Sequence, residues 1–424
     1  MLQLSAHQSV DKMKKEPGIG SPERLDAEFP LSVAKFFILS TTVLQKIAIP
    51  GTGGLVWLLE PIFLSLLLYC LLRQVLSIRI YVFCASSLFL FQVSISGFWS
   101  SDRASIPSVV LVLFFSTFYL FSFKQVGPNF FKNISQFYIK MMIALAIAGT
   151  AQFFGQFIFP RPIVFFIDYL PSDFIVANYN NLNVLYFGSE IIKSNGVVFQ
   201  EPSTYNQFLA LALVAELSFR TRPFVLLTLV IGLGVTFSGT GLLALLPAFP
   251  FLAIRRPAIV FTIAGFGIIG LSTLILSTEW LDIYIQRLGE FAEPGTSGYA
   301  RFVSGFVMLN DYLFEQDIPS ALFGHGPGSV REYSMRYTYE VFSPTLIRMI
   351  LDYGILGGGF YVMLMTYIIF SGPGTAAFNV ALWTIFMWMG ENSLTPVIHG
   401  LVLPMAAWPA IKSSVPASDV TDRA

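Results

Sequence analysis

Long apolar runs separated by short polar stretches fill the chain from residue 33 to residue 411. Windows long enough, or nearly so, to cross a bilayer fall at 33–51, 55–72, 79–98, 106–123, 138–159, 203–219, 224–238, 240–254, 258–277, 345–370, 375–390 and 395–411. A helical span needs about 20 apolar residues. The pattern therefore predicts an all-α fold, a polytopic helical bundle of about twelve transmembrane helices.

One stretch is ambiguous, because residues 223–254 read either as one long tilted helix or as two short ones meeting at Ser238-Gly239-Thr240-Gly241. Loop charge arbitrates. With the N-terminus cytoplasmic and two helices here, the pairs Arg73 and Arg79, Lys124 and Lys132, Arg220 and Arg222, and Arg255 and Arg256 all face the cytoplasm. A single helix would put the last two pairs on opposite faces, against the positive-inside tendency. Gly232, Gly234 and Gly241 would then allow close helix packing. The same topology leaves two long loops outside, 160–202 and 278–344. Residues 1–30, polar and containing Pro17, Gly18, Gly20, Pro22 and Pro30, read as a disordered cytoplasmic tail. Residues 31–412 read as the transmembrane domain and 413–424 as a second cytoplasmic tail.

Composition agrees, with 55% hydrophobic and 12% charged residues, about half the charge of a soluble domain. A net charge of zero without any basic block gives no reason to expect nucleic acid as a partner. Cys70 and Cys84 lie within apolar windows, so no disulfide framework is expected. Three scattered histidines offer no metal-ligand spacing, and no GxSxG nucleophile motif occurs.

The chemistry-bearing residues gather in and beside the two outer loops. In Ser194–Leu211, SNGVVFQEPSTYNQFLAL, a polar segment turns into a long apolar helix. Pro202 suits the first helical position, which makes Glu201 the cap residue at the water line, although glutamate is not a favoured cap. The helix dipole favours its ionised form and burial opposes it. Earlier in that loop, Ile163–Leu170 is too short to span and reads as interfacial or re-entrant. Tyr179, Asn180, Asn181, Asn183, Tyr186 and Phe187 suit sugar recognition as well as ordinary loop composition.

The second loop is acidic and lacks lysine; its cations are Arg287, Arg301, Arg331 and Arg336. Guanidinium forks match phosphate oxygens, and they pair equally well with the loop's own carboxylates. Gly324-His325-Gly326-Pro327-Gly328-Ser329 reads as a tight turn whose backbone N–H groups are free to face an anion, with a histidine able to move a proton. The next window opens Phe342-Ser343-Pro344, with Arg348 a turn inside and Asp352 four residues on. Arg348 at membrane depth is a functional candidate, and also a candidate for a structural pair with Asp352. Lys46 and Glu60 read as partners of each other, while Glu391, Asn392 and His399 carry no assigned role.

Taken in order, SNGVVFQEPSTYNQFLAL, FSGTGLL, GHGPGS and SPTLIRMILDYGILGGG resemble the O-antigen polymerase and ligase superfamily, above all Wzy-type polysaccharide polymerases, over about 194–360. The resemblance implies a bacterial inner-membrane bundle whose two long loops are periplasmic. It implies transfer of a glycan from undecaprenyl diphosphate to an acceptor sugar hydroxyl, without metal, nucleotide or other cofactor. Glu201 then matches the acidic residue that activates the acceptor, with His325 as the alternative. Arg348, Arg301, Arg336 and Lys193 become the diphosphate ligands. The implied partners are the undecaprenyl-diphosphate-linked oligosaccharide, membrane lipid, and the flippase and chain-length regulator of the same pathway. Two departures stand out. Ser343 and Pro344 occupy positions where the ligases often carry histidine and asparagine, and Lys193 stands where an arginine is common. A ligase-type transferase or a transporter of the same lipid-linked glycan are the alternatives.

Overall fold

A helix occupies every apolar window within the residues that the computed structural model describes, which are 22–99, 104–177, 179, 182–185, 188–257, 289 and 292–409. The window at 258–277, Arg287, Asn180, Asn181, Tyr186, Phe187, residues 1–21 and the tail 413–424 lie outside the described residues, whereas residues 22–30, expected as disordered tail, are helical and continue into the first apolar window. The first half of the chain forms α1 (Pro22–Leu44), α2 (Leu59–Leu72), α3 (Ile80–Trp99), α4 (Ile106–Tyr119), α5 (Phe130–Gly155), the short α6 (Arg161–Val164), α7 (Pro202–Phe219), α8 (Pro223–Val235) and α9 (Thr240–Arg255). The second half adds four short loop helices, α10 (Ser297–Phe302), α11 (Ser304–Leu309), α12 (Ile318–Phe323) and α13 (Ser329–Ser334). They are followed by α14 (Thr345–Phe370), α15 (Ala376–Trp388) and α16 (Pro396–Val402). Helices α3, α5 and α14 are long and apolar enough to cross a bilayer, and α2, α4, α8, α9, α15 and α16 are shorter apolar helices. With the composition, they mark a membrane protein.

The exception to an all-α chain is a two-stranded antiparallel ladder, β1 (Leu76–Ile78) with β2 (Phe121–Phe123), pairing Leu76 with Phe123 and Ile78 with Phe121. It lets the short connections α2–α3 and α4–α5 satisfy each other's backbone groups. Arg79, next to it, donates to Ser371 Oγ and to the Ala407 carbonyl, tying this end of the bundle to the far ends of α14 and α16.

The bundle is built around α7, in which every residue from Tyr205 to Leu217 is buried. A helix apolar on all sides belongs in a core, and α5, α8, α9 and α15 surround this one. Residues 223–254 form two helices, and buried Asn206 on α7 holds the turn between them. Its Nδ2 donates to Leu233 O (3.2 Å) and Thr236 Oγ1 (2.7 Å), and its Oδ1 accepts from Gly241 N (2.6 Å). A Cβ at Gly241 would meet the Asn206 backbone at 2.5 Å, and one at Gly232 would press on Ala146 at 3.0 Å. Gly234, expected to serve the same purpose, faces open space.

Helix α14 is broken at Gly354, whose φ of 69° and ψ of −177° lie outside helical space. The glycine turn 324–329 fits into the break. His325 N donates to Leu351 O (3.0 Å) and Gly326 N to Asp352 O (2.8 Å), so carbonyls released by the kink are satisfied by the loop. The turn's remaining N–H groups are not free to face an external anion as the sequence suggested. Gly328 N, Val330 N and Ser329 Oγ donate to the Asp352 carboxylate at 3.1, 3.2 and 2.9 Å. Asp352 is the anion of this turn.

The loop 160–202 is stitched to the end of α1. Ile47 bridges Ile175, Val176 N donates to Lys46 O (2.9 Å), and Lys46 is ion-paired with Asp168, both side chains being fully buried. Lys46 thus pairs across the loop rather than with Glu60, because Asp168 turns inward while Phe166 and Tyr169 beside it stay exposed. Burial pushes the Asp168 carboxyl up against the opposing pull of the Lys46 ammonium. Asn195 Nδ2 adds a hydrogen bond to Asp168 (3.0 Å). Removing one member of a buried ion pair costs about 3–5 kcal/mol, whereas replacing both by apolar groups is often neutral. Asp168→Ala should accordingly lower the thermal midpoint of the detergent-solubilised protein sharply, and Lys46→Met with Asp168→Leu should recover most of the loss.

Candidate active site

The peptide leading into α7 is turned by Gly196 and Val197, with φ of 61° and 71°. Such a φ is costly for a β-branched residue and persists where its surroundings over-determine it. Here Val197 N donates to Gln152 Oε1 (3.3 Å) and Asn195 Oδ1 (3.2 Å), and Lys46 Nζ donates to Val197 O (3.2 Å). Gln200 Nε2 then reaches Gln45 O (2.8 Å). Pro202 starts the helix and Glu201 occupies the cap position in extended geometry, without using its carboxylate as a cap. Instead, Ser203 Oγ donates to Glu201 Oε2 (2.9 Å), and the side chain lines a cavity of about 520 Å³.

The cavity is walled by Gly54, Leu55 and Trp57, by Val176, Ala177 and Tyr179, the start of α7, Thr240, Arg301, residues 340–342 and the stretch from Met389 to Ile398. Every one of these segments belongs to the bundle end opposite Arg79 and the β ladder in the topology read from loop charge. Among the other polar residues of its lining are Glu340, Tyr179 and Glu391. Tyr179, packed edge-on against Trp57 with ring centroids 5.6 Å apart, lies near both Glu201 and Glu391. Burial and those two carboxylates push its hydroxyl well above the usual phenol range. Glu391, on the turn between α15 and α16, accepts from Arg348 Nη1 at 2.7 Å.

Arg301, in the last turn of α10, lines this cavity and also a second, mainly apolar one of about 230 Å³ that includes Phe302, Phe306, Pro344, Ile347 and Trp388. A guanidinium therefore stands where a polar chamber meets an apolar one. The other expected diphosphate ligands lie elsewhere. Arg348 is buried, with Nε 3.6 Å from Asp352 Oδ2, and it stands behind Glu391 rather than in the wall of the cavity. Arg336 is exposed, paired with Glu332 at 2.5 Å and laid over the rings of Tyr333 and Tyr312. Lys193 sits in the loop where its N–H donates to Asn183 O (2.8 Å), and it is absent from the cavity lining. His325 is buried, stacks near Tyr333 (4.8 Å between ring centroids), and its Nε2 meets the Tyr312 carbonyl, so its ring holds the loop together and does not reach the cavity.

Of the residues singled out in the sequence, Glu201, Arg301 and Tyr179, the last named with the loop's sugar-recognition candidates, line this cavity; Glu391, which lines it too, had been given no role. The usable signal for Glu391 was its position: Gly390-Glu391-Asn392 interrupts two apolar windows at the same bundle end as Glu201. Among the described residues no three His, Cys, Asp or Glu side chains gather into a metal-binding group.

Chemically, the arrangement offers a carboxylate beside an open chamber, a second carboxylate fixed by an arginine, and a cation at the edge of an apolar recess. That suits an amphiphilic substrate carrying sugar at one end and an anionic group next to hydrocarbon. Residues 37–384 match the family model described as WcaD colanic acid polymerase. No curated protein matches the chain. Over that span, from α1 to α15, the chain belongs to the WcaD colanic acid polymerase family, among the Wzy-like polymerases of O-antigen and exopolysaccharide repeat units.

Proposed function

We propose that the chain joins oligosaccharide repeat units carried on undecaprenyl diphosphate, at the periplasmic face of the bacterial inner membrane. The bundle would cross that membrane about twelve times with its N-terminus in the cytoplasm. One observation carries the reading: Glu201 and Arg301 face a single cavity, and Arg301 also opens onto an apolar recess. The recess fits the first isoprene units of the donor, Arg301 its diphosphate, and the polar chamber its first sugars. Arg348, Arg336 and Lys193 are not direct ligands of the phosphate in this reading, because their positions are behind or outside the chamber.

In the proposed reaction Glu201 takes the proton of the acceptor sugar hydroxyl as that oxygen bonds to the donor's anomeric carbon. The bond from that carbon to the diphosphate oxygen breaks, its electron pair leaving with the phosphate, where Arg301 offsets the charge. A flippase would deliver the substrate and a chain-length regulator would act on the product. His325 serves the loop, and the chemistry does not require it.

The test is the full chain in liposomes with a polyprenyl-diphosphate-linked repeat unit, products being resolved on a gel. A ladder of products is the expected result; intact donor moved to the other leaflet would point to transport instead. Glu201→Gln should cut the rate by about 10²–10⁴-fold, the usual worth of a general base, with the protein's thermal midpoint unchanged. Arg301→Ala should raise the donor KM about 10–100-fold, as expected for loss of a hydrogen bond to a charged group, and Arg301→Lys should recover part of it. A ladder of wild-type rate from Glu201→Gln would remove that residue from the reaction.

A further inference from the structure

Glu391 has a place in the cavity that its pairing with Arg348 does not by itself explain. The guanidinium has a second carboxylate, Asp352, with Oδ2 3.6 Å from its Nε, so Glu391 is not its one counter-charge. Glu391 is also the only one of the pair that faces the chamber, its side chain being 38% exposed against 10% for Arg348. The backbone that presents it is pinned at both ends. Thr345 donates from both its N and its Oγ1 to Gly390 O at 3.0 Å, and its Oγ1 accepts from Asn392 N at 2.9 Å. Asn392 Nδ2 donates to Ile385 O (2.8 Å) and Phe386 O (3.2 Å) at the end of α15, and Thr395 Oγ1 to Glu391 O (3.3 Å). A side chain held in this way in the wall of the chamber is pre-organised for work on a ligand.

Arg301 is the cation of the chamber's lining and is shared with the apolar recess; the carboxylates of the lining are Glu340, exposed in the stretch that bonds α10 through Phe342 N and Ala300 O (3.1 Å), and Glu201 and Glu391, both close to Tyr179. An anion such as diphosphate belongs beside Arg301. A group that becomes positive during reaction belongs beside Glu201 and Glu391.

We propose that Glu391 is a second catalytic carboxylate, a fixed anion that contacts the transferring sugar and stabilises the positive charge developing at its anomeric carbon. This rests on the glycan-transfer reading above. Bonds break and form as described there; Glu391 gains no proton and forms no covalent bond. Transition states of glycosyl cleavage resemble oxocarbenium ions. A preorganised charge aimed at a developing one is typically worth about 10²–10³-fold in rate. Binding Arg348 holds the carboxylate in place and leaves the proton-accepting role to Glu201, which has no cation bound to it among the described residues.

Glu391→Gln keeps the shape and an acceptor for Arg348 while deleting the charge. In the liposome ladder assay it should lower kcat about 100-fold and leave the donor KM within a few-fold of wild type. Glu391→Asp, which keeps the charge on a shorter arm, should recover part of the rate. If Glu391 served only as an acceptor for Arg348, Glu391→Gln would polymerise at the wild-type rate; its thermal midpoint is expected to stay near wild type, because the amide oxygen still accepts from Arg348 and Asp352 remains beside the guanidinium. A ladder from Glu391→Gln within twofold of wild type, or a loss of rate that comes with a sharp fall in its thermal midpoint, would overturn the proposal. Failure of the wild-type chain to produce any ladder would instead overturn the polymerase reading beneath it.

Discussion

The structure depends on one buried cation. Arg348 sits a turn inside α14, nearly out of reach of solvent, where an unpaired guanidinium would be prohibitively costly. Its two carboxylate partners come from different places: Asp352 from its own helix, and Glu391 from the turn after α15. Each partner has further obligations. Asp352 gathers the N–H groups of the glycine turn, and the turn around Glu391 is tied to Thr345. A single side chain thereby locks the long second loop, the broken helix and the α15–α16 turn into one arrangement, and that arrangement forms one wall of the cavity.

The opposite wall is set by a second buried pair, Lys46 with Asp168, which holds the first loop on the end of α1. Phe166, Tyr169 and Phe174 around it are exposed, so this stretch of the loop presents aromatic rings outward and the Asp168 carboxylate inward. An inverted polarity of this kind is what a bilayer surface favours. Glu201 is fixed between these two walls, at the start of the most deeply buried helix, so its backbone has little room to move. Placing the proposed base on a rigid element and the arginine of the proposed phosphate site on the short helix α10 would separate the part that must be accurate from the part that must admit a bulky lipid.

Much of the fold was legible. Apolar runs marked the helices because a hydrocarbon solvent demands about 20 apolar residues whatever their tertiary partners, and the paired arginines correctly divided residues 223–254 into α8 and α9. Pro202 announced the helix start that presents Glu201, since its effect on the backbone is local. What could not be read were pairings over long separations. Lys46 and Asp168 are 122 residues apart, and Arg348 and Glu391 are 43 apart. Neither sequence neighbourhood advertises the partner. The glycine turn misled for the same reason: its N–H groups do face an anion, but the anion is Asp352, supplied by a helix that begins well after the turn. His325 and Arg336 looked available because a lone titratable residue in a loop shows none of the aromatic packing, here Tyr312 and Tyr333, that occupies it.

The contact between the glycine turn and the break in α14 is made by main chain on both sides. A Cβ at position 354 would fall 2.2 Å from Leu322 O, and one at position 324 would fall 2.4 Å from Gly354 N, with positive φ at both residues. The two glycines are therefore a lock and its keyhole, and neither has a purpose without the other. Across homologous chains they should be gained and lost together, which gives an alignment a register mark where loop lengths drift, and separates relatives that keep this docked geometry from those that have abandoned it.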